Sequence, residues 1–227
     1  GLSYVSFGAL SVAVAFGWAP LAVSIPVVAA AAVLLLRITG NGKIKSDAAI
    51  AMISAGSLAV GIIVTSLTTG MTTDVSSYMF GSILAMSRED VVLSAILSLI
   101  VLGMFILCYN KVFAVTFDES FARATGVRVS GYNTILAVLT AVTIVLGMRM
   151  MGAMLISSLI IFPALTSMRV FKSFSGVILS AGTVSVVCFF IGLVLSYVYS
   201  IPAGASVVVV NMGAFGIFSV IQAVRRR

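Results

Sequence analysis

Long apolar runs, separated by short polar breaks, recur along the whole sequence. Only 8% of the 227 residues are charged. A run of about 20 apolar residues lets an α-helix cross roughly 30 Å of hydrocarbon, whereas strands of a membrane barrel would alternate polar and apolar residues. Because backbone groups in lipid must be bonded inside the protein, the sequence predicts an all-α, polytopic transmembrane bundle with short interfacial helices.

About eight membrane segments are predicted from these runs. Their approximate bounds are 2–16, 21–36, 48–67, 91–109, 132–146, 153–165, 177–198 and 203–224. The apolar piece Tyr78–Met86 is too short to span, and we expect it to form a surface or re-entrant helix. The chain opens with neither Met nor a basic flank, so we expect further residues upstream of Gly1. We treat residues 1–227 as one transmembrane domain.

Lys and Arg are distributed unevenly between the breaks. All of them except Arg88 and Arg149 lie in 37–47, 110–128, 169–175 and 225–227. Short cytoplasmic loops are enriched in Lys and Arg, so alternating segments place these breaks and the C-terminus in the cytoplasm, provided that the short apolar piece does not cross. The net charge of +7 is then explained by membrane orientation and by contact with anionic lipid headgroups, so nucleic acid is not an expected partner.

The break FDESFARATGVRV, residues 117–129, has the spacing of a short amphipathic helix. Its apolar residues recur on one side, Glu119 and Arg123 lie off that side, and Gly126 is expected to end the helix. Two interpretations remain open. The helix lies on the inner leaflet, or it touches a cytoplasmic subunit.

A second break, Thr166–Ser175, is named here the coupling segment. It follows a span that we expect to be broken at Gly152 and Pro163, because Pro removes a backbone donor and Gly lets helices approach closely. Its apolar side chains can anchor in a groove of a soluble partner, and its basic side chains supply charge. The residues predicted to make this contact are Thr166, Met168, Arg169, Phe171, Lys172 and Phe174. A few buried side chains carry most of an interface's energy. The alternative is a basic turn that only fixes topology.

Five phrases, in order along the chain, resemble the permeases of ABC importers that move zinc, manganese or iron. They are SDAAIAMISAGSLAVGIIVTSL, YMFGSILAMSRED, FDESFARATGV, MGAMLISSLIIFPALTSMRVFKSF and IPAGASVVVV. The resemblance covers essentially the whole chain. It implies a homodimeric pore in a prokaryotic cytoplasmic membrane, alternating between outward- and inward-open states.

The same resemblance implies particular partners and a particular cargo. Cytoplasmic ATPase subunits and an extracytoplasmic metal-binding protein are the expected partners. The cargo is a divalent metal ion, zinc or manganese first and iron next, with no permanently bound cofactor. ATP is expected on the partner chain, since this sequence contains no Gly-x-x-x-x-Gly-Lys-Ser/Thr phosphate loop.

The first residues, GLSYVSFGAL, are similar to the family's Asp-x-x-Ser-His-x-x-x-x-Gly, in which Asp and His line the metal path. Ser3 matches, Tyr4 stands where the family has His, and the Asp would fall just before Gly1. The resemblance therefore places Ser3 and Tyr4 on the translocation path. A phenol is a poorer ligand than imidazole for Zn²⁺ or Mn²⁺, which leaves the metal open. The alternative for Tyr4 is a packing or interfacial aromatic.

Other classes of function find less support in the residues. An intramembrane enzyme needs a nucleophile with a base, or paired carboxylates, within its spans, but the chain has no His and its acidic residues lie in breaks or at span ends. The main alternative is an ATP-independent carrier or channel. Such a protein is expected to have charged residues at mid-membrane for ion coupling, and the predicted segments contain none there. The methionines of Met148–Met154 suit Cu(I) as thioether ligands, yet Met is also ordinary packing material.

Overall fold

The computed structural model describes residues 1–40, 46–69 and 88–225, and within these ranges the regular secondary structure is helical. The helices are α1 Leu2–Ala15, α2 Pro20–Gly40, α3 Ser46–Thr69, α4 Arg88–Phe117, α5 Glu119–Ala124, α6 Val129–Met151, α7 Ala153–Val170, α8 Phe174–Tyr199 and α9 Ala203–Arg225. The predicted all-α class is confirmed. The predicted helix at Tyr78–Met86 and the middle of the break at 37–47 lie outside the described residues.

Seven of the described helices are long and apolar enough to cross a membrane: α2, α3, α4, α6, α7, α8 and α9. The first predicted segment, α1, is a shorter apolar helix of 14 residues, about 21 Å long at 1.5 Å per residue. The chain is therefore a multi-pass membrane protein, as predicted.

Helix α4 continues to Phe117, although the sequence suggested an end near Tyr109. Neither Gly nor Pro follows Asn110, and the next residues are again largely apolar, so nothing stops the helix there. Lys111 is tolerated because a lysine stem can lie along an apolar surface while its ammonium reaches a polar layer.

The short helix α5 ends before Gly126, as its sequence predicts. The Asp118 carboxylate accepts a hydrogen bond from the backbone N–H of Phe121 at 2.9 Å, which caps the helix N-terminus. Gly126 has a φ of +82°, the left-handed conformation that terminates helices and that glycine adopts without strain.

The chain is interrupted at only one of the two breaks predicted around α7. Gly152 separates α6 from α7 with a φ of +84°, whereas α7 continues through Pro163 to Val170. Membrane helices accept proline where neighbouring helices and hydroxyl side chains compensate for the missing N–H, and Pro163 is fully buried. The coupling segment is consequently helical at both ends, and only residues 171–173 connect α7 to α8.

Contacts divide the chain into two compact units, with the boundary between Met150 and Met151. In the first unit α1 packs against α2 and α3, and its side chains share a core with α2 and α6. Gly8 and Gly61 make the close approach of α1 to α3 possible. A Cβ on Gly8 would lie 2.6 Å from the Ser57 carbonyl oxygen, and one on Gly61 would lie 2.6 Å from the Phe7 ring.

The second unit contains α7, α8 and α9, each in contact with the other two. A Cβ on Gly192 would lie 2.6 Å from the Cα of Val207, so the backbones of α8 and α9 nearly touch there. The Ser206 hydroxyl donates to the Gly192 carbonyl at 2.8 Å and bonds the same two helices. A small residue and an interhelical hydrogen bond are typical of helix pairs in membranes.

Candidate translocation path and coupling surface

Ser3 and Tyr4 lie in the first turn of α1, a helix most of whose residues are buried within the first unit. The Ser3 side chain is only 3% exposed, and that of Tyr4 is half-buried. The close approach of α1 to α3 holds this turn in place. Ser3 therefore lies inside the unit, and Tyr4 lies at its boundary.

Further buried hydroxyls lie on α1 and on α2, which packs against it. Ser6 and Ser11 of α1 and Ser24 of α2 are buried, and their Oγ atoms have no hydrogen-bond partner within the described part of the chain. Burying a hydroxyl without a hydrogen bond costs free energy, so these three side chains differ from ordinary core residues. Sequence reasoning missed these serines, because most helical serines bond to their own backbone and carry no signal of function.

Within the described residues, no group of three or more His, Cys, Asp or Glu side chains that could hold a metal ion lies together. Among the methionines considered for Cu(I), Met148 is 1% exposed and packs as an ordinary core side chain, while Met154 is 37% exposed. The first unit also has a buried hydroxyl on α3, Thr65, which donates to the Gly61 carbonyl at 2.8 Å.

The coupling segment is exposed on most of its surface. Met168, Val170 and Phe171 have exposed fractions of 61%, 43% and 45%, and Lys172 is exposed beside them. Phe174 is half-buried as the first residue of α8. Thr166 is 1% exposed, and its hydroxyl donates to the Phe162 carbonyl at 2.7 Å, so it has no surface to offer a partner protein.

Arg169 has intrachain partners, although the sequence suggested contact with another protein. Its Cζ lies 4.6 Å from the centroid of the Phe215 ring, and its Nη1 donates to Gln222 Oε1 at 3.2 Å. Both partners belong to α9. This cation–π contact and hydrogen bond join α7 to α9, and their sequence separation hid them from sequence analysis.

The second predicted contact surface is α5, where Arg123 donates to Glu119 at 2.7 Å. Both side chains are largely exposed, so this pair contributes at most about 0.5 kcal/mol. Ala122 is fully buried and packs with Val115 and Val129, which fixes α5 against its neighbours. The exposed side of α5 includes Phe121 at 62%. That α5 lies beside the coupling segment stays a prediction.

Comparisons with known proteins agree on one family. The ABC 3 transport family matches residues 1–222. The chain is 29% identical to the high-affinity zinc uptake system membrane protein ZnuB of Haemophilus influenzae, over 81% of this chain and 70% of that protein. It is 31% identical to the manganese import system permease protein ScaB of Streptococcus gordonii, over 80% of this chain and 65% of that protein.

A solved structure has the same fold. It is PsaBC from Streptococcus pneumoniae in complex with Fab, which superposes with a TM-score of 0.84 at 28% identity. The superposition covers 96% of this chain and 78% of the solved chain. The present chain thus spans about two thirds to four fifths of the length of these related proteins.

Proposed function

Because this chain belongs to the ABC 3 transport family, we propose that it is the membrane-spanning permease subunit of an ATP-binding-cassette importer for a divalent metal ion. The family match over residues 1–222 is the observation that carries this proposal. The names of its zinc- and manganese-transporting relatives favour those two ions as cargo, with iron as a further candidate. ATP is bound and hydrolysed by a separate chain.

The metal ion passes along α1 in this proposal. Ser3 and Tyr4 offer a hydroxyl and a phenol near the buried hydroxyls of Ser6 and Ser11. Neutral hydroxyl and phenol oxygens hold Zn²⁺ or Mn²⁺ less tightly than an imidazole does. Weak ligands suit a path, because an ion that binds too tightly does not leave.

The metal ion is moved into the cell by alternating access, in which the pore opens first to the outside and then to the cytoplasm. Two permease copies form the pore, an extracytoplasmic binding protein delivers the ion, and paired ATPase subunits act on the cytoplasmic side. The distribution of Lys and Arg supports this sidedness, with residues 171–173 and the C-terminal arginines in the cytoplasm.

The ATPase contact is carried by the exposed part of the coupling segment, chiefly Met168, Phe171 and Lys172. Glu119 and Arg123 of α5 contribute a secondary contact. Exposed apolar side chains beside a positive charge are what a groove on a partner protein recognises. Force applied at Phe171 reaches α7 directly, because this residue caps its C-terminus.

Phe171→Asp tests the proposal by co-purification of the ATPase subunit with the permease. The variant should insert and fold, while its association with the ATPase weakens by about 2 kcal/mol, roughly thirtyfold in the dissociation constant. Phe16→Asp is the matched control. Phe16 is 66% exposed, but the proposed topology puts it on the extracytoplasmic side of the membrane, so association should be unchanged. Wild-type association of Phe171→Asp would exclude the coupling segment as the contact.

A further inference from the structure

Helices α7 and α9 contact each other in a constant register. The Phe162 and Phe215 rings meet edge to face with centroids 6.1 Å apart. Arg169 donates a hydrogen bond to Gln222. In both contacts the residue on α9 lies 53 positions after its partner on α7. Two contacts with the same offset mean that α7 and α9 run in the same direction with matched rise.

Ser158 and Asn211 form the next pair in this register. Each lies four residues before a phenylalanine of the ring pair, and residues four apart share a face of a helix. Ser158 is 4% exposed and Asn211 is 1% exposed. Ser158 Oγ and Asn211 Oδ1 are both buried without a hydrogen-bond partner within the described part of the chain.

The two unpaired atoms are chemically complementary. The Asn211 Nδ2 group donates to the Val207 carbonyl at 2.9 Å, so the remaining atom of this amide, Oδ1, is an acceptor. The Ser158 hydroxyl is a donor and an acceptor. Pro163 has no N–H, so the carbonyl of Leu159, next to Ser158, also lacks its helical donor.

We propose that one buried water molecule joins Ser158 to Asn211 between α7 and α9. The water accepts a hydrogen bond from Ser158 Oγ–H and donates one to Asn211 Oδ1, and its second hydrogen is available to the Leu159 carbonyl. Buried waters typically make about three such bonds to polar groups that otherwise have none. Neither atom has a hydrogen-bond partner among the described residues, so no direct bond joins the two side chains.

This site is a third contact that fixes how α7 is aligned along α9. The other two are the pair of phenylalanine rings and the hydrogen bond from Arg169 to Gln222. Three contacts at one offset make the two helices move as one body. The inference does not depend on the proposed function, because stability and structure report it without any transport measurement.

The first test is a double-mutant cycle with Ser158→Ala and Asn211→Leu. The equilibrium constant of unfolding is measured for the purified protein in mixed micelles titrated with SDS. If the two side chains are coupled, the equilibrium constant of unfolding of the double variant should differ by about threefold from the value expected if the two single effects were independent. This is the average size of an interhelical polar coupling in membranes. Strict additivity would overturn the proposal.

Ser157→Ala is the matched control, because the neighbouring hydroxyl of Ser157 donates to the Ala153 carbonyl of its own helix at 2.7 Å. Ser157→Ala combined with Asn211→Leu should be additive. An equal coupling there would overturn the assignment to Ser158.

The second test uses the unaltered protein and an experimental structure that shows ordered water. A water peak within about 3.2 Å of both Ser158 Oγ and Asn211 Oδ1 is expected. A dry gap between the side chains, or a direct hydrogen bond between them, would overturn the water bridge even if the cycle shows coupling.

Discussion

Replacing Gly8 by alanine should separate α1 from α3 and destabilise the first unit. The added Cβ would lie 2.6 Å from the carbonyl oxygen of Ser57 and 3.3 Å from the carbonyl carbon, where ordinary contact begins at 3.4 Å. Both obstacles are backbone atoms, so no side-chain rotation can relieve them and α1 must retreat by about 0.8 Å. Overpacking of this kind costs about 1–3 kcal/mol.

The stability of Gly8→Ala can be measured by SDS-induced unfolding in mixed micelles, with Gly56→Ala as the control. Gly56 lies on α3, and its added Cβ meets no atom within 4 Å. An alanine in an open helical position is stabilising by about 0.5–1 kcal/mol relative to glycine. The free energy of unfolding should therefore fall in Gly8→Ala and rise in Gly56→Ala. Equal stabilities would refute the account of how α1 is held against α3.

Two further predictions concern the proposed path and the α7–α9 contact. Tyr4→His should raise the affinity of the protein for Zn²⁺ or Mn²⁺ in equilibrium dialysis, because imidazole is the better ligand, whereas Tyr4→Phe should not. Unchanged affinity in Tyr4→His would count against Tyr4 as a path residue. Arg169→Met should lower stability by about 0.5–1 kcal/mol through loss of the contact with Phe215, while ATPase co-purification persists. Loss of the ATPase with unchanged stability would restore Arg169 to the partner interface.

The existence and type of the helices could be predicted from the sequence, because lipid leaves few alternatives to a helix for a long apolar run. The end of α5 before Gly126 and the interruption at Gly152 were also predictable, since a positive φ favours glycine. The site residues Ser3 and Tyr4 came only from the family resemblance, and their role stays a prediction.

Features that depend on tertiary packing could not be predicted. Pro163 was expected to break α7, but its burial among neighbouring helices lets the helix continue. Arg169 was expected to face a partner, but its partners lie on α9, far along the chain. The buried hydroxyls of Ser6 and Ser24 carry no sequence signal, because only the fold decides whether a helical serine is enclosed without a partner.

The central claim is that this chain moves a divalent metal ion only when a separate ATPase drives it. The most direct test is metal uptake into proteoliposomes that contain the permease with its ATPase subunits and binding protein, with Zn²⁺, Mn²⁺ and Fe²⁺ compared in parallel. The account predicts uptake of Zn²⁺ or Mn²⁺ that requires both ATP and the ATPase subunits. Equal uptake by the permease alone, as expected of a carrier or channel, would contradict it.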